Sequence, residues 1–376
     1  MTDSFVKTAM AAMLLGTTAS MAAAQGSVQL YGLVDAAVRV TGNHGKTQMV
    51  GGGMSQSRWG INVTEDLGAG LSAIANFENR FLTDTGNTAA VNYFQQAWIG
   101  MRSEDWGQLT MGRQFNVLLE VAASTYASFP SGPFMEVYKP EIGVAMGTRT
   151  NNMLKYAAHR GPWRAGLQYS FDEGNTVARK GSEVELTGGL AMKTAGGYLR
   201  YAAGSGLAIG GAYMNTKMPA GTQFDAYTLG GSYRSGPWYF STGYGMNKRQ
   251  NRLAAEDARL INAYWGSEVN GGFQPGDADK RQLLQLGMGY QVTPQLNMGV
   301  HYYHVKQSGS SSGAFNNQAN FIVAVADYAF SKRTDAYVGV DYTRISGGAG
   351  SYIEKTATGD LVRNRAGLTI GLRHRF

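Results

Sequence analysis

The sequence predicts an all-β protein, a closed antiparallel barrel of sixteen strands that crosses a membrane. Three observations predict it. Short segments from Gly26 to the end alternate apolar and polar residues, the period-2 pattern of a strand with two different faces. The turns between them are alternately short and long, as in barrels with one tight rim and one looped rim. With 52 Gly, 21 Tyr and 8 Pro, the composition suits pleated surface better than helix interiors, and every proline falls in a loop, a turn or a first strand position.

The first 24 residues are expected to be a cleaved secretory signal. Lys7 precedes a short apolar stretch, and Ala22-Ala23-Ala24 offers small residues to a signal peptidase, leaving a single domain over 25–376. Cysteine is absent, so neither a disulfide framework nor thiol chemistry is available. The net charge of +7 is dispersed, with no basic run, and export disfavours nucleic acid as a partner; the charge suits a membrane surface or an anion path. Beyond the signal no apolar run reaches the roughly 18 residues of a spanning helix, so crossing must be by strands.

Taken in order, Val28, Leu30, Val34 and Val38 share one face of the first strand, and Gln29, Tyr31, Asp35 and Arg39 the other. The second sends Trp59, Ile61 and Val63 outward and Arg58, Asn62 and Thr64 inward; the third sends Leu71, Ala73, Ala75 and Phe77 outward and Asn76, Glu78 and Arg80 inward. Further strands are expected near 91–102, 107–115, 149–158, 163–171, 197–203, 207–217, 224–234, 237–248, 280–291, 295–306, 319–330, 334–345 and 364–376. The segment 184–194 is read into a 172–196 loop. Leu368, Ile370 and Leu372 oppose Thr369, Arg373 and Arg375 on the last strand, which should pair with the first and leave no edge. Tyr31, Tyr93, Trp163, Tyr169, Tyr213, Trp238, Tyr239, Tyr290 and Tyr342 fit an aromatic girdle at the membrane interfaces.

The third long connection, 116–148, carries three prolines (Pro130, Pro133, Pro140) and three carboxylates, Glu120, Glu136 and Glu141, between borders marked by Arg113 and Arg149. A connection of that length inside a compact domain usually has a task. Acidic loop residues facing a basic wall of Arg39, Arg58, Arg80, Arg113, Arg149 and Lys155 would set a transverse field across water. The bland alternative is lumen charges satisfied by their neighbours. Strict alternation from Leu109 and Met111 would aim Arg113 at lipid, so its strand is expected to bend there.

Several stretches resemble the general porins of Gram-negative outer membranes, in particular those of β-proteobacteria. They are Val28-Gln-Leu-Tyr-Gly-Leu-Val-Asp35, Ser57-Arg-Trp-Gly-Ile-Asn-Val-Thr-Glu-Asp-Leu-Gly-Ala-Gly-Leu71, Leu109-Thr-Met-Gly-Arg-Gln114, Arg149-Thr-Asn-Asn152, Lys332-Arg-Thr-Asp335 and Gly371-Leu-Arg-His-Arg-Phe376. The resemblance implies a homotrimer of sixteen-stranded barrels in outer-membrane lipid and lipopolysaccharide, each with its third loop folded inward. It also implies a latch between subunits near 82–90 and a role for Phe376 as a signal to the barrel assembly machinery. Pro140-Glu141-Ile142-Gly143 matches the family's loop motif in part, with Ile142 and Val144 in place of an aromatic and a glycine.

The function so implied is passive diffusion of small hydrophilic solutes and ions, favouring anions, with no cofactor. The alternatives are a barrel enzyme, which would need a nucleophile–base pair or paired carboxylates at a rim, and a non-conducting structural barrel or adhesin. His301 and His304, three apart on a strand, face opposite sides and cannot share a metal. Gly51-Gly52-Gly53 sits between no strand and helix, so loop flexibility explains it better than phosphate binding.

Overall fold

The computed structural model describes residues 26–42, 47–89, 92–126, 148–171, 175–180, 183–189, 192–251, 253–257, 278–310, 313–314, 316–348, 351–355 and 359–376. The expected signal at 1–24, Glu136 and Glu141 lie outside them.

Sixteen strands form a closed antiparallel barrel. They are β1 (Ser27–Thr41), β2 (Arg58–Gly68), β3 (Leu71–Arg80), β4 (Phe94–Ser103), β5 (Gly107–Phe115), β6 (Arg149–Arg160), β7 (Trp163–Ser170), β8 (Lys193–Ala202), β9 (Leu207–Lys217), β10 (Gln223–Ser235), β11 (Trp238–Arg249), β12 (Lys280–Gln291), β13 (Leu296–Ser308), β14 (Asn317–Ala329), β15 (Thr334–Gly347) and β16 (Asn364–Arg375). Each pairs with the next. β16 also pairs with β1, Leu33 opposite Arg375 and Thr41 opposite Gly367, and Gly32 and Phe376 exchange amide hydrogen bonds at 3.1 and 3.0 Å. Closure matters because in hydrocarbon an unpaired edge would leave backbone groups unsatisfied.

Alternation decides which face meets lipid. On β16 Ile370 and Leu372 are both 54% exposed, whereas Thr369 and Arg373, of the opposite parity, are 1% and 5% exposed. The same split runs through β9, where Ile209 and Tyr213 are exposed and Ala208, Ala212 and Met214 are buried. Of the aromatics expected in the girdle, seven are exposed, but Tyr31 and Tyr239 turn into the bore. Tyr31 follows the parity of Asp35, and its hydroxyl donates to Glu78 and accepts from Asn76 Nδ2; Tyr239 alternates with the exposed Trp238 and Phe240.

The largest departures from the expected strand bounds surround the 172–196 connection. β8 begins at Lys193 rather than Gly197, because Thr194 pairs with both Ser170 and Thr216 and the ladders continue past 197. The expected 172–196 loop instead carries its own hairpin, Asn175–Lys180 with Glu183–Gly189, which leaves the strand count unchanged. β5 bends as expected. Gly112 has φ +127°, accessible chiefly to glycine, and its register with β6 shifts between Gly112 and Gln114, so Arg113 donates to Asn151 Oδ1 at 2.6 Å across the irregularity.

No helix is expected from the sequence beyond residue 24, yet α1 (Val117–Thr125) opens the third long connection. Asn116 caps it by accepting from Leu119 N at 2.9 Å, and Val117 N donates to Gln168 Oε1 at 2.7 Å, which satisfies amides the first turn cannot. The legible signal was that cap followed by Val-Leu-Leu-Glu-Val-Ala-Ala, a run helices tolerate. Val117, Leu118 and Val121 pack against Tyr198, Ala212, Met214 and Ala226, which have the bore-facing parity of β8–β10. The wall is flattened to receive α1: Cβ atoms at Gly196 and Gly210 would stand 3.0 Å from Val117 Cγ2 and Thr125 Oγ1. Tyr126 lies in a crevice formed by Gly230 and Gly243, with its hydroxyl on Thr228 and its carbonyl on Gln285 Nε2.

Candidate functional site

β2 begins opposite the middle of β1, and Arg58, its first residue, pairs with Leu33 on one side and Arg80 on the other. Two like charges directly across a ladder repel. What makes the placement tolerable is Glu78, two residues before Arg80 and therefore on the same face. Its Oε1 accepts from Arg80 Nε at 2.9 Å, and Arg58 Nη1 and Arg149 Nη2 stand 3.9 and 3.7 Å from its carboxylate. Gln56 ties two of these together: its carbonyl accepts from Arg58 Nε and its Oε1 from Arg80 Nη1, both at 3.2 Å. Arg149 lies over the Phe115 ring, 4.7 Å from its centroid, and Arg80 approaches the same ring at 5.9 Å.

A second pair faces α1. Lys155 Nζ donates to Glu120 Oε2 at 2.7 Å and to the Phe115 carbonyl at 3.1 Å, while Tyr198 donates to Glu120 Oε1 at 2.9 Å. Glu120 and Lys155 thus neutralise one another, and among the described residues the Arg58, Arg80 and Arg149 group is in positive excess over Glu78.

The residues singled out in the sequence therefore do not form one ladder. Arg58, Arg80 and Arg149 converge; Lys155 joins Glu120; Arg113 is engaged with Asn151. Arg39 stands apart, six residues beyond Leu33 or roughly 20 Å along the strand. It is buried in a bidentate pair with Asp341 at 2.7 and 2.9 Å and bonds Thr369 at 2.8 Å. Removing one partner of a buried ion pair strands the other charge. Asp341→Ala is expected to lower barrel stability by about 3–5 kcal/mol, read as a fall in melting temperature, while leaving ion selectivity as in the wild type.

Glu78, Gln56 and Phe115 were not among the candidates, although parity had already turned Glu78 inward beside Arg80. The missing signal was spatial: only the register of β2 with β3 places Arg58 beside them.

A family model described as Gram-negative porin matches residues 8–348. The chain is 25% identical over 412 residues to an outer membrane porin protein of Bordetella pertussis, with 98% of this chain and 100% of that one covered. It is 30% identical over 244 residues to outer membrane porin protein 32 of Delftia acidovorans, over 61% of this chain and 67% of the relative. Among solved structures, an anion-selective porin from Comamonas acidovorans superposes with a TM-score of 0.69 at 24% identity, covering 94% of this chain and 100% of that chain. At that identity the likeness to the solved structure is one of fold.

Proposed function

We propose, from the premise that this chain belongs to the Gram-negative porin family, that its channel prefers anions and that Arg58, Arg80 and Arg149 around Glu78 set the preference. The protein is an integral β-barrel of the outer membrane and a porin, a passive channel for small hydrophilic solutes rather than an enzyme. The observation that carries the preference is the convergence of three guanidiniums on one carboxylate, a net charge of +2 among the described residues on one side of the bore. A unit charge about 5 Å from a passing ion in water is worth about 0.8 kcal/mol before screening, so an excess of two charges biases a monovalent ion measurably. Glu120 on α1 is matched by Lys155, and Glu136 and Glu141 follow further along the same connection in the sequence; Arg39 and Arg113 contribute only to the wider field.

Reversal potential in a planar bilayer under a potassium chloride gradient tests this directly: a sign favouring chloride supports the reading, and a cation-favouring sign overturns it. A subtler result is expected from Glu120→Gln. Removing that carboxylate leaves Lys155 without its ion partner, adds one net positive charge and should raise the chloride preference by about 2-fold at low salt, measured in the same cell.

Family membership also supports a homotrimer embedded in lipid and lipopolysaccharide, export with residues 1–24 removed, and recognition of Phe376 by the barrel assembly machinery. Phe376 pairs with Gly32 at the seam where the barrel closes.

A further inference from the structure

β1 lacks a strand partner on one edge for three residues. It pairs with β2 up to Leu33, opposite Arg58, and with the short strand Thr47–Val50 from Ala37, opposite Val50. Between those registers the chain has residues 51–57 to cover the gap at 34–36, and the surplus must leave the sheet. It leaves on the bore side. Met54 is buried in one apolar cluster with Val50, Ala37, Phe321 and Tyr337, and a Cβ on Gly53 would come within 2.8 Å of the Ala37 Cβ.

Asp35 holds the segment there. Its carboxylate accepts successive amides from Gly53, Met54 and Ser55 at 3.1, 3.2 and 2.7 Å, together with the Tyr337 hydroxyl. Charge-assisted bonds to consecutive amides are among the stronger ones available to a carboxylate, and the turn that aligns them uses Gly52 at φ +118°. The Asp35 backbone, having no strand partner on the β2 edge, donates to Ser57 Oγ at 2.9 Å and accepts from Thr83 Oγ1 at 2.6 Å. Arg373 Nη1 closes the clasp on Ser55 Oγ at 2.6 Å. Next to the far end of the segment is Gln56, the residue that bridges Arg58 and Arg80.

We infer that residues 51–57 are a second constriction element, narrowing the bore from the β15–β1 side while α1 occupies the β8–β11 side, and that Asp35 is the positioning residue that holds it. The passage left between the two is bordered by the arginine cluster, so the segment sets both the width and the placement of charge. This rests on the channel reading.

The test compares wild type, Asp35→Asn and Ser55→Cys, each purified as folded barrel and placed in planar bilayers and in liposomes. Asp35→Asn keeps one acceptor oxygen but turns a carboxamide NH2 toward two of the donors that the carboxylate accepted. Its single-channel conductance is expected to rise about 1.5-fold and the largest sugar that swells liposomes to increase in size, a shift that loss of stability alone would not produce. The chain has no cysteine of its own, so a bulky neutral thiol reagent on Ser55→Cys reports position 55 alone and should cut the current by about half. Asp35→Asn with wild-type conductance and sugar cut-off, or a Ser55→Cys current indifferent to the reagent, overturns the inference. The cysteine result decides if Asp35→Asn fails to assemble. Wild type without current would sink the channel reading itself, whereas wild-type current with silent variants sinks this inference alone.

Discussion

Reversing Arg58 and Arg149 together, as R58E/R149E, is expected to turn an anion-preferring channel into a cation-preferring one. The cluster then holds one guanidinium and three carboxylates, net −2 in place of +2. At about 5 Å in water the swing of four charges amounts to about 3 kcal/mol, of which about half survives screening at physiological salt, where the Debye length is about 8 Å. The permeability of each ion should move by roughly 20-fold at such salt, in opposite directions for anion and cation, and by only about 3-fold near 1 M, where that length falls to about 3 Å. The salt dependence separates a field effect from a change of shape. Arg149 is buried against Phe115 and Glu78, whereas the Arg58 side chain is 26% exposed, so Arg58→Glu alone is the safer variant, with an expected shift of about 4-fold. A reversal potential unmoved in both variants would remove these residues from the selectivity account.

The second large effect is expected at Tyr126. Its ring stakes the end of α1 into the crevice between Gly230 and Gly243, and burying such a side chain is worth about 1.5–3 kcal/mol. Tyr126→Ala therefore raises the detached population of that end by roughly 10- to 100-fold. The expected record is a flickering current with open levels about 1.5-fold above wild type and admission of larger solutes. Tyr126→Phe keeps the ring and loses only the Thr228 contact, so it should stay close to wild type. The complementary variant, Gly243→Val, fills the crevice with a residue strands favour, and should release Tyr126 while the barrel's melting temperature holds. A quiet, wild-type trace from both Tyr126→Ala and Gly243→Val would show that the ring does not hold the constriction.

What the sequence by itself determined was the barrel: the number of strands, their faces, the rhythm of short and long connections and the return of the last strand to the first. Each of these follows from a constraint that acts one residue at a time. Lipid admits only apolar side chains at every second position, and a strand carries its neighbours to opposite faces whatever lies across the sheet. The same rule turned Asp35, Glu78 and Arg149 toward the bore. It could not say which of the inward charges meet. Arg39 lies 302 residues from Asp341, and Tyr337 as far from Asp35, and only closure of the cylinder makes them neighbours. Gly51-Gly52-Gly53 read as a flexible loop until the two registers of β1 left residues 51–57 more chain than gap. α1 stayed hidden because its stability comes from the glycine-flattened wall of β8–β11 rather than from its own nine residues. Alternation is written locally in the chain, whereas partnership inside the bore depends on register and closure, which no short window of sequence contains.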